Sequence, residues 1–299
     1  MSSENLVGRT VAGYRLVQHV GEGGTASVYR GEHPERGSAA VKILIPRLGK
    51  DPIAIKRFLR EAEFGVRLNH PNIVRTYDYG AADGLHYLAL QWADGEPLAS
   101  FVTRSGNLAA PLVATIVEQI GAALTAVHQA GIIHRDLKPA NIMYDPATQH
   151  AMLLDFGIAR DAEGGAEERL TRAGFFVGTL QYVAPETLSG ELVGEQADVY
   201  SLATITYHLL TECLPFPGRS PRELFQQLLS QEPIPLNQAK RGLRFPQAVE
   251  DAVMNGLQRD LAKRSKSVDE FARGFCTAVR EEGTQKGGFL ANLFRKGPR

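Results

Sequence analysis

The sequence predicts an α+β fold in which a small strand-rich region comes first and a larger, mostly helical region follows. Three observations carry this. Three strand-like stretches crowd into residues 14–45, a capped amphipathic segment follows them from Asp51, and Pro111 to Gln129 reads as one long helix. At 299 residues the chain can bury a substantial core, as one large domain or as two lobes.

Charge is balanced at 33 basic and 33 acidic residues, which points away from nucleic acid or a strongly anionic surface as partner. The two cysteines, Cys213 and Cys276, are too few for a disulfide scaffold and form no Cys-x-x-Cys pair, so a reducing, cytoplasmic setting is expected. Met1 to Asn5 has no basic-then-apolar secretion pattern. The most apolar helical run, Leu112 to Val127, is interrupted by Glu118 and Gln119, and no transmembrane segment is expected.

The first strands are Tyr14 to Val20, Val28 to Gly31 and Ala39 to Ile45. Between the first two lies Gly21-Glu22-Gly23-Gly24-Thr25-Ala26-Ser27-Val28. Three glycines in four residues let backbone amides approach a polyphosphate without interference from Cβ atoms, although a flexible hairpin turn explains them equally well. Lys42 stands among apolar strand residues, where an unpaired ammonium is costly, so it needs an anion. A helix follows, with Asp51 as N-cap, Pro52 as its first residue, and Ile55, Phe58, Leu59, Ala62 and Val66 at helical spacing. Asp83-Gly84 marks a hairpin turn into the strand Leu85 to Leu90.

Beyond the helix ending near Gly131 come two strings, Ile133-His134-Arg135-Asp136-Leu137-Lys138-Pro139-Ala140-Asn141 and Leu153-Leu154-Asp155-Phe156-Gly157. Each follows apolar residues expected of a short buried strand, and Asp145-Pro146 marks a turn between them. Carboxylates and an amide oxygen are hard ligands suited to Mg²⁺, and a lysine beside them suits a phosphoryl group. A separate aspartate can orient the proton of an attacking hydroxyl.

These strings and their spacing resemble the catalytic loop and metal-binding segment of eukaryotic-like (Hanks-type) serine/threonine protein kinases, most like the bacterial members. The resemblance covers about residues 13 to 280 and implies a bilobal kinase fold. Its parts would be an N-terminal extension (1–12), an N-lobe with one main helix (13–93), a mostly helical C-lobe (94–280) and a polar, basic tail (281–299). It implies ATP and Mg²⁺ as cofactors and protein Ser/Thr hydroxyls as acceptors, with autophosphorylation in the activation segment. It also admits a kinase–kinase dimer.

Residue by residue, the resemblance implies that Asp136 orients the acceptor hydroxyl, Lys138 touches the γ-phosphate, and Asn141 and Asp155 hold Mg²⁺. ATP would be met by Gly21, Glu22, Gly23, Gly24, Thr25, Ala26, Val28, Ala40 and Lys42, with Leu90 as gatekeeper and the backbones of Gln91 and Ala93 on the adenine edge. Ala26 stands where the family has its third loop glycine. Glu61 matches the helix glutamate that pairs with the lysine, with Glu63 as its competitor. Gly65, one turn on, removes a side chain that would support Phe156. A weakly held, controllable helix is therefore expected.

In the activation segment, Arg135 and Arg160 are the cations expected around a phosphorylated Thr171, against a plain solvated loop. Thr179 would partner Asp136 and Lys138. Glu186 closes the Ala-Pro-Glu anchor and would pair with Arg264, and Asp198 would hold the catalytic-loop backbone. Two rivals stand beside this reading. A pseudokinase scaffold is opposed by the filled positions at Lys42, Asp136, Asn141 and Asp155. A small-molecule phosphotransferase is opposed by Gly178-Thr179 with Ala184-Pro185-Glu186, the segment that serves peptide acceptors.

Overall fold

Six strands build the first sheet: β1 (Thr10–Val11), β2 (Tyr14–Glu22), β3 (Ala26–His33), β4 (Gly37–Leu44), β5 (Thr76–Ala82) and β6 (Leu85–Gln91), antiparallel in the order β1-β2-β3-β4-β6-β5. The computed structural model describes residues 6–155, 180–189 and 193–295, with 283–295 as backbone. The expected strands are present, and the structure adds β1 and β5, whose short or glycine-broken patterns gave little signal. Asp83 (φ 52°) and Gly84 (φ 76°) turn β5 into β6, the two positive values being those of a type I′ hairpin.

Helix α1 (Pro52–Arg67) crosses this sheet, and the Asp51 carboxylate caps it by accepting from the Ile53 and Ala54 amides. The period of two along β4 sorts its side chains. Ala39, Val41 and Ile43 enter one apolar cluster with Tyr14, Leu16 and Tyr29, whereas Ala40 and Leu44 pack on the other side with Phe58 and Ala62 of α1. Lys42 shares that second face. Its position under the helix is thus a consequence of strand alternation.

The second region is helical: α2 (Leu98–Ser105), α3 (Ala110–Gln129), α4 (Pro185–Ser189), α5 (Gln196–Thr211), α6 (Pro221–Ser230), α7 (Gln247–Gly256) and α8 (Val268–Arg295). Helix α3 is long and apolar enough to cross a membrane by length and composition alone, yet Val113, Ile116, Val117, Ile120, Leu124 and Val127 lie in the core beside α5 and α8. Helix α5 is buried along nearly its whole length; Thr204, Thr206 and Thr211 each satisfy a hydroxyl on the carbonyl four residues earlier, while the Ser201 hydroxyl donates to the Tyr182 carbonyl at 2.7 Å. Helix α8 continues past Val279 into the stretch read from sequence as a tail.

A small sheet, β7 (Glu96–Pro97), β8 (Ile142–Asp145) and β9 (His150–Leu153), lies against α3. The β8–β9 return is the hairpin anticipated at Asp145-Pro146, and the Asp145 carboxylate accepts from the Ala147 amide and the Thr148 hydroxyl. One expectation fails: Ile132 and Ile133 form no strand before His134. The Ile132 amide returns to the Val127 carbonyl, and the His134 and Arg135 amides are taken by a side chain from α5 in place of a ladder partner.

Candidate active site

Strand β4 and helix α1 bring the first pair together. Lys42 Nζ lies 3.1 Å from Glu61 Oε1 and also contacts the Asp155 carboxylate. Burial alone would lower the Lys42 ammonium, but the charges of Asp155 and then Glu61 outweigh it and hold the lysine above its ordinary value. Glu63 is exposed on the opposite side of the helix. The helix expected to be weakly held stands in its inward position. Gly65 is buried, α1 runs unbroken across it, and the Lys42–Glu61 pair is formed. Capping at Asp51 and packing of Phe58 and Ala62 hold the helix without a side chain at position 65.

The loop from His134 to Asn141 is shaped by Asp198, which is fully buried near the start of α5. Its carboxylate accepts the amides of His134 (2.8 Å) and Arg135 (2.9 Å), and lies 2.7 Å from His128 Nε2. Arg135 has φ 60°, an uncommon value for a residue with a side chain. This twist presents Asp136 beside Lys138, whose Nζ is 3.1 Å from Asp136 Oδ2. Asn141 donates from Nδ2 to the Asp136 carbonyl (3.0 Å) and carboxylate (3.4 Å), which leaves its amide oxygen as the acceptor end. The Leu154 amide donates to the Asn141 carbonyl, so Asn141 and Asp155 stand on neighbouring strands of chain.

The glycine-rich segment is the β2–β3 hairpin. Gly21 pairs with Val28, Glu22 with Ser27, and the Gly23 amide donates to the Ala26 carbonyl (2.8 Å). None of Gly21, Gly23 and Gly24 has a positive φ, so the turn itself does not require glycine. A Cβ at Gly21 or Gly24 would meet no protein atom within 4 Å. The space beside the loop is open, as an approaching polyphosphate would need. Val28 and Ala40 lie on β3 and β4, with Val28 paired to Lys42 and Ala40 paired to Leu90. Leu90 is buried; the Gln91 amide donates to the Arg75 carbonyl, and Ala93 packs on the cluster beneath α1. Trp92 stacks under Arg30 at 5.1 Å, a packed aromatic.

Scaffold residues complete the arrangement. Arg264 meets Glu186 with both terminal nitrogens (2.6 and 3.2 Å), donates to the Gln258 and Gln196 carbonyls, and lies over the Tyr200 ring. Thr171, Thr179, Arg160 and Phe156 lie outside the described residues, and so do the contacts expected of them. Sequence reading missed His128, the third group on Asp198; its signal was a polar residue among the apolar positions Leu124 and Val127. It also missed the bond from Tyr182 to His208.

The oxygen donors of Asp155 and Asn141 suit a hard divalent cation, and the open space over Gly21 and Gly24, with Lys42 at hand, suits a nucleotide polyphosphate. Among the described residues no cluster of three or more His, Cys, Asp or Glu forms a metal site without help. A cation here would need phosphate oxygens as further ligands.

A family model described as protein kinase domain matches residues 14–281. Serine/threonine-protein kinase pkn3 of Myxococcus xanthus is 36% identical over 276 residues, a match covering 90% of this chain and 50% of that protein. Mycobacterium tuberculosis PknH is 35% identical over 272 residues, covering 91% of this chain and 42% of the relative. The chain thus spans about half or less of these relatives. The crystal structure of the Mycobacterium tuberculosis PknI kinase domain superposes with TM-score 0.69 at 30% identity, covering 93% of this chain and 99% of that one. Rad53 1–466 in complex with AMP-PNP superposes with TM-score 0.73 at 27% identity, covering 90% and 67%.

Proposed function

The chain belongs to the protein kinase family, and from that premise we propose that it transfers the γ-phosphate of ATP to serine and threonine hydroxyls of proteins. The observation that carries the reading is Lys42 held between Glu61 and Asp155, with Asp136, Lys138 and Asn141 on the adjoining loop. A nucleotide entering between the lobes finds an ammonium already oriented for its phosphates.

Asp136 accepts the proton of the acceptor hydroxyl as its oxygen turns toward phosphorus. Lys138 lies against that carboxylate and follows the charge to the transferred group. Asn141 and Asp155 would hold Mg²⁺, which when bound neutralises charge on the phosphates. Strand β6 and the segment after it would seat the adenine, with Leu90 setting the depth of the pocket. The alternative of a scaffold without phosphoryl transfer has no observation in its favour, since each reacting position is filled.

Phosphosite mapping after incubation with ATP and Mg²⁺ tests the reading, with Asp136→Asn beside it. Phosphate on serine or threonine in the wild-type chain and none in the variant is the expected result. Absence of Mg²⁺-dependent phosphorylation from the wild-type chain toward itself and toward added proteins would overturn it.

A further inference from the structure

Helix α8 is longer than the surface it packs on. Its early turns lie along α3: a Cβ at Gly121 would meet the Ala272 Cβ at 2.7 Å, and the Cys276 thiol donates to the Ala114 carbonyl (3.4 Å). As α8 advances, its contacts move back toward the start of α3, so the two helices run antiparallel. Helix α3 begins at Ala110, one turn before Ala114. Arg280 still reaches Glu118 (2.9 Å), and the protein-kinase match ends at residue 281. The 13 residues from Gly283 to Arg295 nevertheless continue the helix by about 20 Å, past the start of α3.

This extension has a composition of its own. Four of the chain's 33 basic residues, Lys286, Arg295, Lys296 and Arg299, and none of its 33 acidic ones fall in residues 283–299. At about 100° per residue, Phe289, Leu290, Leu293 and Phe294 share an arc of about 140°. Lys286 stands one turn before Phe289 and Arg295 directly follows Phe294, so cations flank the apolar face at both ends. A membrane span needs about 20 apolar residues, which this stretch does not supply. Gly287 and Gly288 weaken a helix in water, so this part of α8 gains most from a surface that fixes it.

We propose that the end of α8 is a docking element for an anionic lipid surface. The helix lies in the plane of the headgroups, its Phe289–Leu290–Leu293–Phe294 face enters the acyl boundary, and the flanking cations meet lipid phosphates. Charge decides against a second copy of the chain as the occupant, because pairing two such segments sets four cations against four. Four apolar positions also fall short of the several heptads that a two-stranded coiled coil uses. The inference is independent of the phosphotransfer reading.

The test sediments the full chain with sucrose-loaded vesicles of phosphatidylcholine, alone or with about 30% phosphatidylglycerol. The chain should pellet with the mixed vesicles and remain in the supernatant with the neutral ones. The Phe289→Ser/Phe294→Ser pair should abolish binding, and the Arg295→Gln/Lys296→Gln pair should weaken it roughly tenfold or more. Raising salt to about 0.5 M should weaken binding of the wild-type chain. Both variants should keep the wild-type melting temperature, since both pairs lie beyond the kinase domain. Failure to bind the mixed vesicles, equal binding to both kinds, or binding unchanged by the serine pair overturns the proposal. So does a lowered melting temperature in the serine variant, which would show this face packed on the kinase domain. A concentration-dependent dimer in light scattering that the serine variant dissolves would assign the face to a second copy and overturn it equally.

Discussion

Asp198 holds Arg135 in a left-handed backbone conformation: its carboxylate accepts the Arg135 amide at 2.9 Å while φ at Arg135 is 60°. A non-glycine residue in that region carries a cost, typically of order 1–3 kcal/mol, so the surrounding bonds must over-determine it. They do. Asp198 also takes the His134 amide and faces His128, and all three interactions converge on a carboxylate with no solvent exposure.

Asp198→Ala should therefore unfold the loop before it unfolds the domain. Two amides lose their acceptor, each loss being worth about 1–3 kcal/mol, and Asp136 loses its placement. Phosphotransfer should fall about 100-fold or more, read as kcat, while far-ultraviolet circular dichroism stays near wild type. The pH dependence carries a sign. Burial alone would raise the Asp198 carboxyl, but the His128 hydrogen bond and the nearby imidazoles outweigh it and hold it below the ordinary 3.8. Its stabilisation is therefore complete above about that value and is lost as pH falls through the depressed one. The stability gap between wild type and Asp198→Asn, measured by urea titration, should narrow below about pH 4.

Lys42 is the counter-ion of two carboxylates at once. Lys42→Met should abolish phosphotransfer and leave Glu61 and Asp155 facing each other uncompensated. Breaking a buried pair costs about 3–5 kcal/mol, and the 37% exposure of Asp155 reduces this to roughly 1–3 kcal/mol. Burial holds the Glu61 carboxyl above its ordinary value, so acidification protonates it and the deficit in melting temperature should shrink from pH 7 to pH 5. A deficit that does not change with pH would assign the loss to packing of the lysine stem.

How much of this was legible beforehand follows from the kind of information each feature needs. Lys42 was readable because a cation in an apolar strand demands an anion, and Asp51-Pro52 because a cap and a first-turn proline sit side by side in sequence. The Asp83-Gly84 turn is likewise local. The formed Lys42–Glu61 pair in spite of Gly65 was not legible, since the support for α1 comes from contacts with β5 and β6 that sequence spacing does not reveal. His128 and His208 were invisible for the same reason. Each is a single polar residue on a helix, and its meaning lies in a partner 70 or 26 positions away.

Arg264 and Glu186 form a doubly bonded buried pair, and guanidinium geometry is the point of it. Arg264→Lys keeps the charge but cannot serve Glu186, Gln196 and Gln258 together. The melting temperature should drop by roughly 10 °C, corresponding to about 3–5 kcal/mol for a broken buried pair. Adding Glu186→Gln should recover part of the loss, measured as a double-mutant cycle by differential scanning calorimetry.

Gly24 separates the needs of the fold from those of the nucleotide. It has no positive φ, and a Cβ there meets no protein atom within 4 Å, so Gly24→Ala should leave stability within about 0.5 kcal/mol of wild type or raise it slightly. The same Cβ intrudes on the space where phosphates would approach the loop amides, and Gly24→Val intrudes further. Binding of a fluorescent ATP analogue in the presence of Mg²⁺ should weaken from wild type to Ala to Val, by about tenfold across the series. Replacing Mg²⁺ with a chelator should weaken wild type and both variants alike, because Asn141 and Asp155 are untouched. Equal affinity in all three proteins would show that the phosphates do not lie against this loop.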